Sequence, residues 1–275
     1  MPDIVIHGIA SAAYLVLAWH FWNTRWRAAA PAAPRRVSPL GERAALLAPL
    51  ALHGWTLYSG IFSAAELRFG FAQALSVMMF LAVLMCWLEG FFYPIEALYP
   101  LLLAAGAICA PLPAFFAGRL SPDAVSFEFR LHLVFGMLAY SLFTVAMLHA
   151  VLIAKVESRL HGAPGLGGPL AQLPPLLSLE RLVFVLIAAA FAVLTVTLAF
   201  GIVYSEAFFG RAMRFEHKTV FVILSWAIFG LLLAGRWRYG WRGRTALRWT
   251  LTGFVLLMLA YPGSRFVLEV LLHRA

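Results

Sequence analysis

Long apolar stretches alternate with short polar segments along the whole chain. Each stretch is close to the roughly 20 residues with which a helix spans a bilayer core about 30 Å thick. Eight windows contain no Lys, Arg, Asp or Glu: 4–24, 44–65, 69–88, 97–118, 131–154, 182–205, 219–235 and 249–264. The pattern predicts an all-α, polytopic membrane helix bundle with about eight transmembrane helices.

The composition agrees with this fold class. Hydrophobic residues make up 63% of the 275 residues and charged residues only 12%, whereas about a quarter of the residues in a soluble domain are charged. A soluble enzyme, a disordered chain and a secreted disulfide scaffold are thereby excluded, and a β-barrel would need alternating apolar and polar positions. Since no polar segment is long enough for a separate domain, we expect residues 1–275 to form a single integral-membrane domain.

The positions of the charges predict the topology. If the first helix runs from outside to inside, the inner segments are 23–43, 89–96, 155–181 and 235–248. These inner segments carry a net charge of +8 and the outer segments +1, out of a total of +9. The positive-inside rule therefore places both termini on the outer, periplasmic side. The same rule accounts for the basic residues that raise the pI to about 10.2, so we expect no nucleic acid as partner.

Histidines are the main chemical signal of the sequence. His53 and His149 fall at hydrocarbon depth, where an imidazole is costly unless it is paired or functional. They are a possible intramembrane polar site, and hydrogen bonding to a neighbouring helix is the simpler alternative. For His53 the expected partners are Tyr140, Ser141 or Thr144. No paired acid within a span is expected.

Two further histidines open inward-running helices at the outer surface and so share one level of the membrane. These are His132, with Arg130 beside it, and His217, in a segment that also contains Arg211, Arg214 and Lys218. Five aromatic residues lie between positions 200 and 218, which is typical of an interfacial belt but also suits a planar anionic ligand. Two axial imidazoles, aromatic walls and basic partners for propionates together match the needs of haem.

At these residues the chain resembles the cytochrome c assembly superfamily, in particular its small CcsA-like and HemX-like branch with the YpjD-type inner-membrane proteins. In segment 127–140, His132 opens a helix and Tyr140 follows two turns later, as in the family. The family's tryptophan-rich signature is replaced here by Phe215-Glu216-His217, and its second outer histidine is matched only by His273. Further similar segments are Leu52-His53-Gly54, Arg68-Phe69-Gly70, Ala74-Leu75-Ser76, Gly240-Trp241-Arg242-Gly243 and Gly263-Ser264-Arg265-Phe266.

The resemblance implies a multi-pass protein of the bacterial inner membrane that binds haem b non-covalently and assists haem handling and cytochrome c maturation. It would not be an enzyme by itself, and its partners would be the lipid bilayer, haem and other cytochrome c assembly proteins. His132 and His217 are the expected iron ligands. The other expected contacts are stacking by Phe208, Phe209 or Phe215 and propionate pairing by Arg130, Arg211 or Arg214.

Two other functions fit the same sequence. One is a multi-pass transporter or permease in which His53 and His149 form part of a polar path through the membrane. The other is a regulatory membrane subunit that binds no cofactor and holds a partner protein.

Overall fold

The structure is a computed structural model that describes residues 2–26, 39–62, 67–121, 127–160, 175–203 and 217–272. The helices in chain order are α1 (Pro2–Phe21), α2 (Pro39–Phe62), α3 (Phe71–Glu89), α4 (Tyr99–Cys109), α5 (Leu112–Phe115), α6 (Phe127–Leu160), α7 (Leu176–Val203), α8 (His217–Tyr239), α9 (Gly243–Met258) and α10 (Ser264–Phe266). Two short strands are β1 (Leu67–Phe69) and β2 (Arg119–Ser121). Short π and 3-10 turns extend α1 to Trp26, precede α4 at Glu96–Leu98, and follow α9 and α10 at Leu259–Gly263 and Val267–Leu271.

The prediction of an all-α polytopic membrane bundle is confirmed. Within the described ranges, seven helical segments are long and apolar enough to cross a bilayer. The remaining predicted window, 44–65, corresponds to α2, which has 24 residues and thus the length to cross. α2 also carries Glu42, Arg43 and His53, and it is not among those seven segments.

The first four long helices pack as an antiparallel group in which α1 runs against α4. At one end His7 Nδ1 donates to the Ala110 carbonyl over 2.7 Å, and at the other Trp26 Nε1 donates to the Ala97 carbonyl over 3.0 Å. These two bonds fix the register of α1 along the whole length of α4. The tilted rings of Phe21 and Tyr99, with centroids 4.8 Å apart, pack between them.

The last four long helices form a second group. The Phe143 ring of α6 stacks on Phe229 of α8 with centroids 3.8 Å apart, and Tyr140 of α6 donates to the Leu257 carbonyl of α9 over 2.8 Å. The two groups meet where α3 packs on α6. There the Ser141 hydroxyl donates to the Met78 carbonyl over 3.1 Å, so a polar contact crosses the seam between α3 and α6.

A small antiparallel ladder is the only strand pairing within the described ranges. In it Leu67 pairs with Ser121 and Phe69 with Arg119. Gly118 enters β2 at φ +69°, a conformation that favours glycine. Sequence periodicity did not predict this ladder, because strands of three residues are too short to show an alternating pattern.

The charge asymmetry gives a testable topology. A periplasm-active reporter fused after Gly118, beside the ladder, is expected to be active, whereas the same reporter fused after Gly240, between α8 and α9, is expected to be silent. Alkaline phosphatase activity, normalised to the amount of fusion protein, measures the difference. The reverse pattern would place His132 on the cytoplasmic side and would contradict an outer-face site.

Candidate functional site

His132 lies near the start of α6, with its ring against the end of α7. A Cβ atom on Gly201 would come within 3.3 Å of the His132 Cε1 atom, so the ring packs directly on glycine backbone. The side chain is half-buried, and its Nδ1 atom is buried with no hydrogen-bond partner among the described residues. A buried polar atom without a partner is uncommon in a folded protein and calls for a physical explanation.

His132 and His217 lie at nearly the same height in the bundle. The stacked rings of Phe143 and Phe229 provide a common level for α6 and α8. His132 precedes Phe143 by eleven residues and His217 precedes Phe229 by twelve. At a rise of about 1.5 Å per residue, the two histidines therefore differ in height by roughly 2 Å.

The two histidines do not point in the same direction. Eleven residues are three turns plus roughly 20°, so His132 shares the face on which Phe143 meets α8. Twelve residues are three turns plus roughly 120°, and His217 is exposed on the side of α8 that carries the exposed Leu224 and Leu231. Ligation of one iron by both histidines stays a prediction.

The other predicted haem contacts are only partly described. Arg130 is exposed two residues before His132, at the same end of α6. Phe208, Phe209, Arg211, Arg214, Phe215 and His273 lie outside the described residues. The described residues thus fit haem on one side, through an imidazole with an unpartnered nitrogen and a cationic residue, Arg130, at the same end of α6.

His53 has two partners, and neither is one of those expected from the sequence. Its Nδ1 atom is 3.2 Å from the Tyr14 hydroxyl and its Nε2 atom is 2.9 Å from the Ser76 hydroxyl. One ring nitrogen donates and the other accepts, so the fully buried imidazole is satisfied between α1 and α3. The prediction of Tyr140, Ser141 or Thr144 as partner was wrong, since these three hydroxyls bond to backbone carbonyls instead.

These contacts predict a structural role for His53. His53→Leu leaves the buried hydroxyls of Tyr14 and Ser76 without this partner, and we expect it to lower the free energy of unfolding by roughly 1–2 kcal/mol. His53→Gln keeps hydrogen-bonding capacity and should cost less, and Tyr14→Phe, which removes one of the two bonds, serves as the matched control. Unfolding of the purified variants in mixed micelles gives the values. Unchanged stability together with lost cytochrome c maturation would instead indicate a functional histidine.

His149 lies opposite an acid that sequence reasoning assigned to a loop. Its Nε2 atom is 3.5 Å from Glu89 Oε2, and both side chains are buried or nearly so. The expectation of no paired acid within a span was therefore wrong. A charge-free window must end before the first charged residue, so the third window stopped at residue 88. The helix α3 itself continues through Glu89.

A second buried ionic cluster joins the ends of α1 and α2. Arg25 Nη2 donates to Glu42 Oε2 over 2.5 Å, and His20 Nε2 donates to Glu42 Oε1 over 3.0 Å. Arg25 is 5% exposed and Glu42 6% exposed. This cluster holds the two helices together, and each of its three side chains is paired, although Arg25 Nε itself is buried without a partner among the described residues.

Comparison with known proteins gives one family and several relatives. A family model described as cytochrome C assembly protein matches residues 42–272. An uncharacterized 28.8 kDa protein of Azospirillum brasilense is 36% identical over 183 residues, or 64% of each chain. The inner membrane protein YpjD of Escherichia coli K12 is 31% identical over 140 residues, covering 51% of this chain and 52% of that protein.

A more distant relative is the cytochrome c biogenesis protein CcsA of Gloeobacter violaceus, which is 29% identical over 92 residues, or 34% of this chain and 27% of that protein. The chain thus spans about half to two thirds of the length of the first curated relatives it matches. No solved structure matches the chain significantly.

Proposed function

This chain belongs to the cytochrome c assembly protein family, and from this premise we propose that it binds haem b non-covalently on the outer side of the bacterial inner membrane and assists cytochrome c maturation. Membership in the family supports a role in cytochrome c biogenesis. The relative named inner membrane protein YpjD supports the location. The haem type, the ligands and the outer-side location of the site are parts of the proposal.

The observation that carries the proposal is the imidazole of His132. It is half-buried against the backbone of α7, and its Nδ1 atom lacks a hydrogen-bond partner among the described residues. Neutral imidazole is the form that ligates a metal. A ring nitrogen without a hydrogen-bond partner can bind a metal ion, or it can make the hydrogen bond that orients a metal-binding ring. His7, which lies in the same outer region, differs because its Nδ1 atom already donates to the Ala110 carbonyl.

His132 would hold the iron from the side of α6, and Arg130 would pair with a propionate carboxylate. His217 would supply a second imidazole if the start of α8 rotated toward α6, since the two residues lie at nearly the same height. Ligation by histidine side chains would hold haem without a covalent bond to the protein. The packing of His132 on Gly201 limits its rotation and keeps the ring aimed along one direction. The chain's own role is thus to hold and orient its cargo, and we assign it no catalytic step.

The proposal is tested by titrating the purified protein with haemin in lipid nanodiscs. We expect a saturable Soret band, and a pyridine haemochrome spectrum of the b type after denaturation, because the chain contains no Cys-x-x-Cys-His motif for covalent attachment. Titration of empty nanodiscs corrects for partitioning of haemin into lipid. Binding equal to that of the empty nanodiscs would favour a membrane subunit without cofactor.

A further inference from the structure

Glu89 and His149 face each other across the seam between α3 and α6. The Glu89 carboxyl closes α3, and the His149 ring projects from α6 so that its Nε2 atom is 3.5 Å from Glu89 Oε2. Both carboxyl oxygens and the Nε2 atom are buried, and among the described residues the donor beside the carboxyl is the weak Cys86 thiol. Three buried polar atoms without a strong hydrogen-bond partner therefore share one small space at the end of the bundle where α3 stops.

The hydrogen bond of the other ring nitrogen determines what His149 can offer to Glu89. His149 Nδ1 is 2.9 Å from the Val145 carbonyl oxygen. A carbonyl can only accept, so Nδ1 carries a proton. In the neutral ring Nε2 then has a lone pair, which would repel an ionised carboxylate. The two groups attract each other only if one additional proton lies between them.

The surrounding groups do not neutralise the carboxyl. The Cys86 thiol, on the preceding turn of α3, lies beside Glu89 and is a weak donor. The Tyr99 hydroxyl of α4 donates to the Cys86 carbonyl. The guanidinium of Arg43, on α2, donates to the Gly90 carbonyl and lies over the Phe91 ring. Among the ion pairs of the described residues, His149 is the single partner of Glu89.

We propose that the Glu89–His149 pair is a proton-binding site, in which Glu89 carries the proton and donates it to His149 Nε2. A buried charge without a partner is expensive, and a shared proton leaves both side chains neutral. The Glu89 side chain is 10% exposed and that of His149 is 0% exposed. Both carboxyl oxygens are buried, so proton exchange with solvent requires the end of α3 to open.

The site goes beyond the proposed haem function because it lies at the opposite end of α6 from His132, 17 residues or roughly 25 Å away. It also joins the two helix groups, since α3 belongs to the first and α6 to the second. Loss of the proton would place the ionised Glu89 carboxylate against the lone pair of His149 Nε2 at this junction. Proton binding thus favours close contact between the two helix groups.

Infrared spectroscopy of the protein in nanodiscs tests the site without haem. A protonated carboxyl absorbs above the carboxylate bands, and we expect one such band at neutral pH that is lost in Glu89→Gln. In His149→Phe the band should move to higher frequency, because the acid loses its acceptor. The matched control is Glu157→Gln, which changes a half-exposed glutamate about two turns further along α6 and should leave the band unchanged.

A second measurement uses the wild-type chain, so it does not depend on folding of a variant. Nitrogen-15 spectra of labelled histidine are expected to show His149 as neutral imidazole, protonated at Nδ1 and accepting a hydrogen bond at Nε2. An imidazolium signal for His149 would overturn the assignment of the proton to Glu89. A neutral ring with a free Nε2 atom, or an infrared spectrum in which Glu89→Gln removes only carboxylate bands, would overturn the proton site itself.

Discussion

Replacing Glu42 with alanine is expected to lower the free energy of unfolding by about 3–5 kcal/mol, because it leaves a buried charge without its partner. Arg25 is only 5% exposed and donates to Glu42 Oε2 over 2.5 Å. Without the carboxylate, the guanidinium must stay unpaired in the bundle or pull the end of α1 toward water. His20 loses its acceptor in the same step.

A double variant separates the charge effect from lost packing. Arg25→Met combined with Glu42→Leu removes both charges and keeps apolar volume, so it should recover most of the stability lost in Glu42→Ala. Denaturant unfolding in mixed micelles, followed by tryptophan fluorescence, compares the single and double variants with the wild type. A loss below about 1 kcal/mol in Glu42→Ala would mean that water reaches Arg25 and that the pair behaves as a surface salt bridge.

Haem retention is expected to depend on His132 more than on any other described histidine. His132→Ala should lower haem affinity by more than about tenfold, since even the loss of an outer-shell partner of a metal ligand commonly costs about 10–100-fold. The physical reason is that the variant removes a coordination bond. The two cysteines of the chain, Cys86 and Cys109, lie on α3 and α4, so no thiol on α6 can replace it.

His7→Gln is the matched control for this effect. His7 lies near the start of α1, at the predicted outer end, but its Nδ1 atom donates to the Ala110 carbonyl, so the variant should bind haem as the wild type does. Haemin titration in nanodiscs gives the affinities, and thermal unfolding shows that both variants are folded. Equal affinities for His132→Ala and the wild type would show that the ligand is a different residue.

The hydrophobic pattern predicted the membrane helices well because the cost of charge in hydrocarbon acts on every span. Because the windows were defined by the absence of charge, they could not include the charged residues that the bundle buries. Three buried charged residues lie at helix ends just outside the charge-free windows, and the window boundaries assigned them to loops. They are Arg25, Glu42 and Glu89. Their burial depends on partners from other helices, and no local pattern records that pairing.

The candidate site shows the same limit. The sequence predicted that His132 and His217 lie at one level, and the stacked Phe143 and Phe229 rings, combined with the helical rise per residue, give a height difference of roughly 2 Å. Rotation about each helix depends on packing, so the exposed position of His217 on α8 could not be predicted. The partners of His53 were missed because Tyr14 and Ser76 come from helices whose neighbours only the folded bundle defines.

Cytochrome c production in cells tests the central claim most directly. A strain that lacks the gene is complemented with the wild type, His132→Ala or His7→Gln at equal membrane abundance, and covalently bound haem in periplasmic cytochrome c is quantified. We predict that the wild type and His7→Gln restore holocytochrome c and that His132→Ala does not. Normal holocytochrome c in the uncomplemented strain, or full rescue by His132→Ala, would contradict a haem-dependent role in cytochrome c maturation.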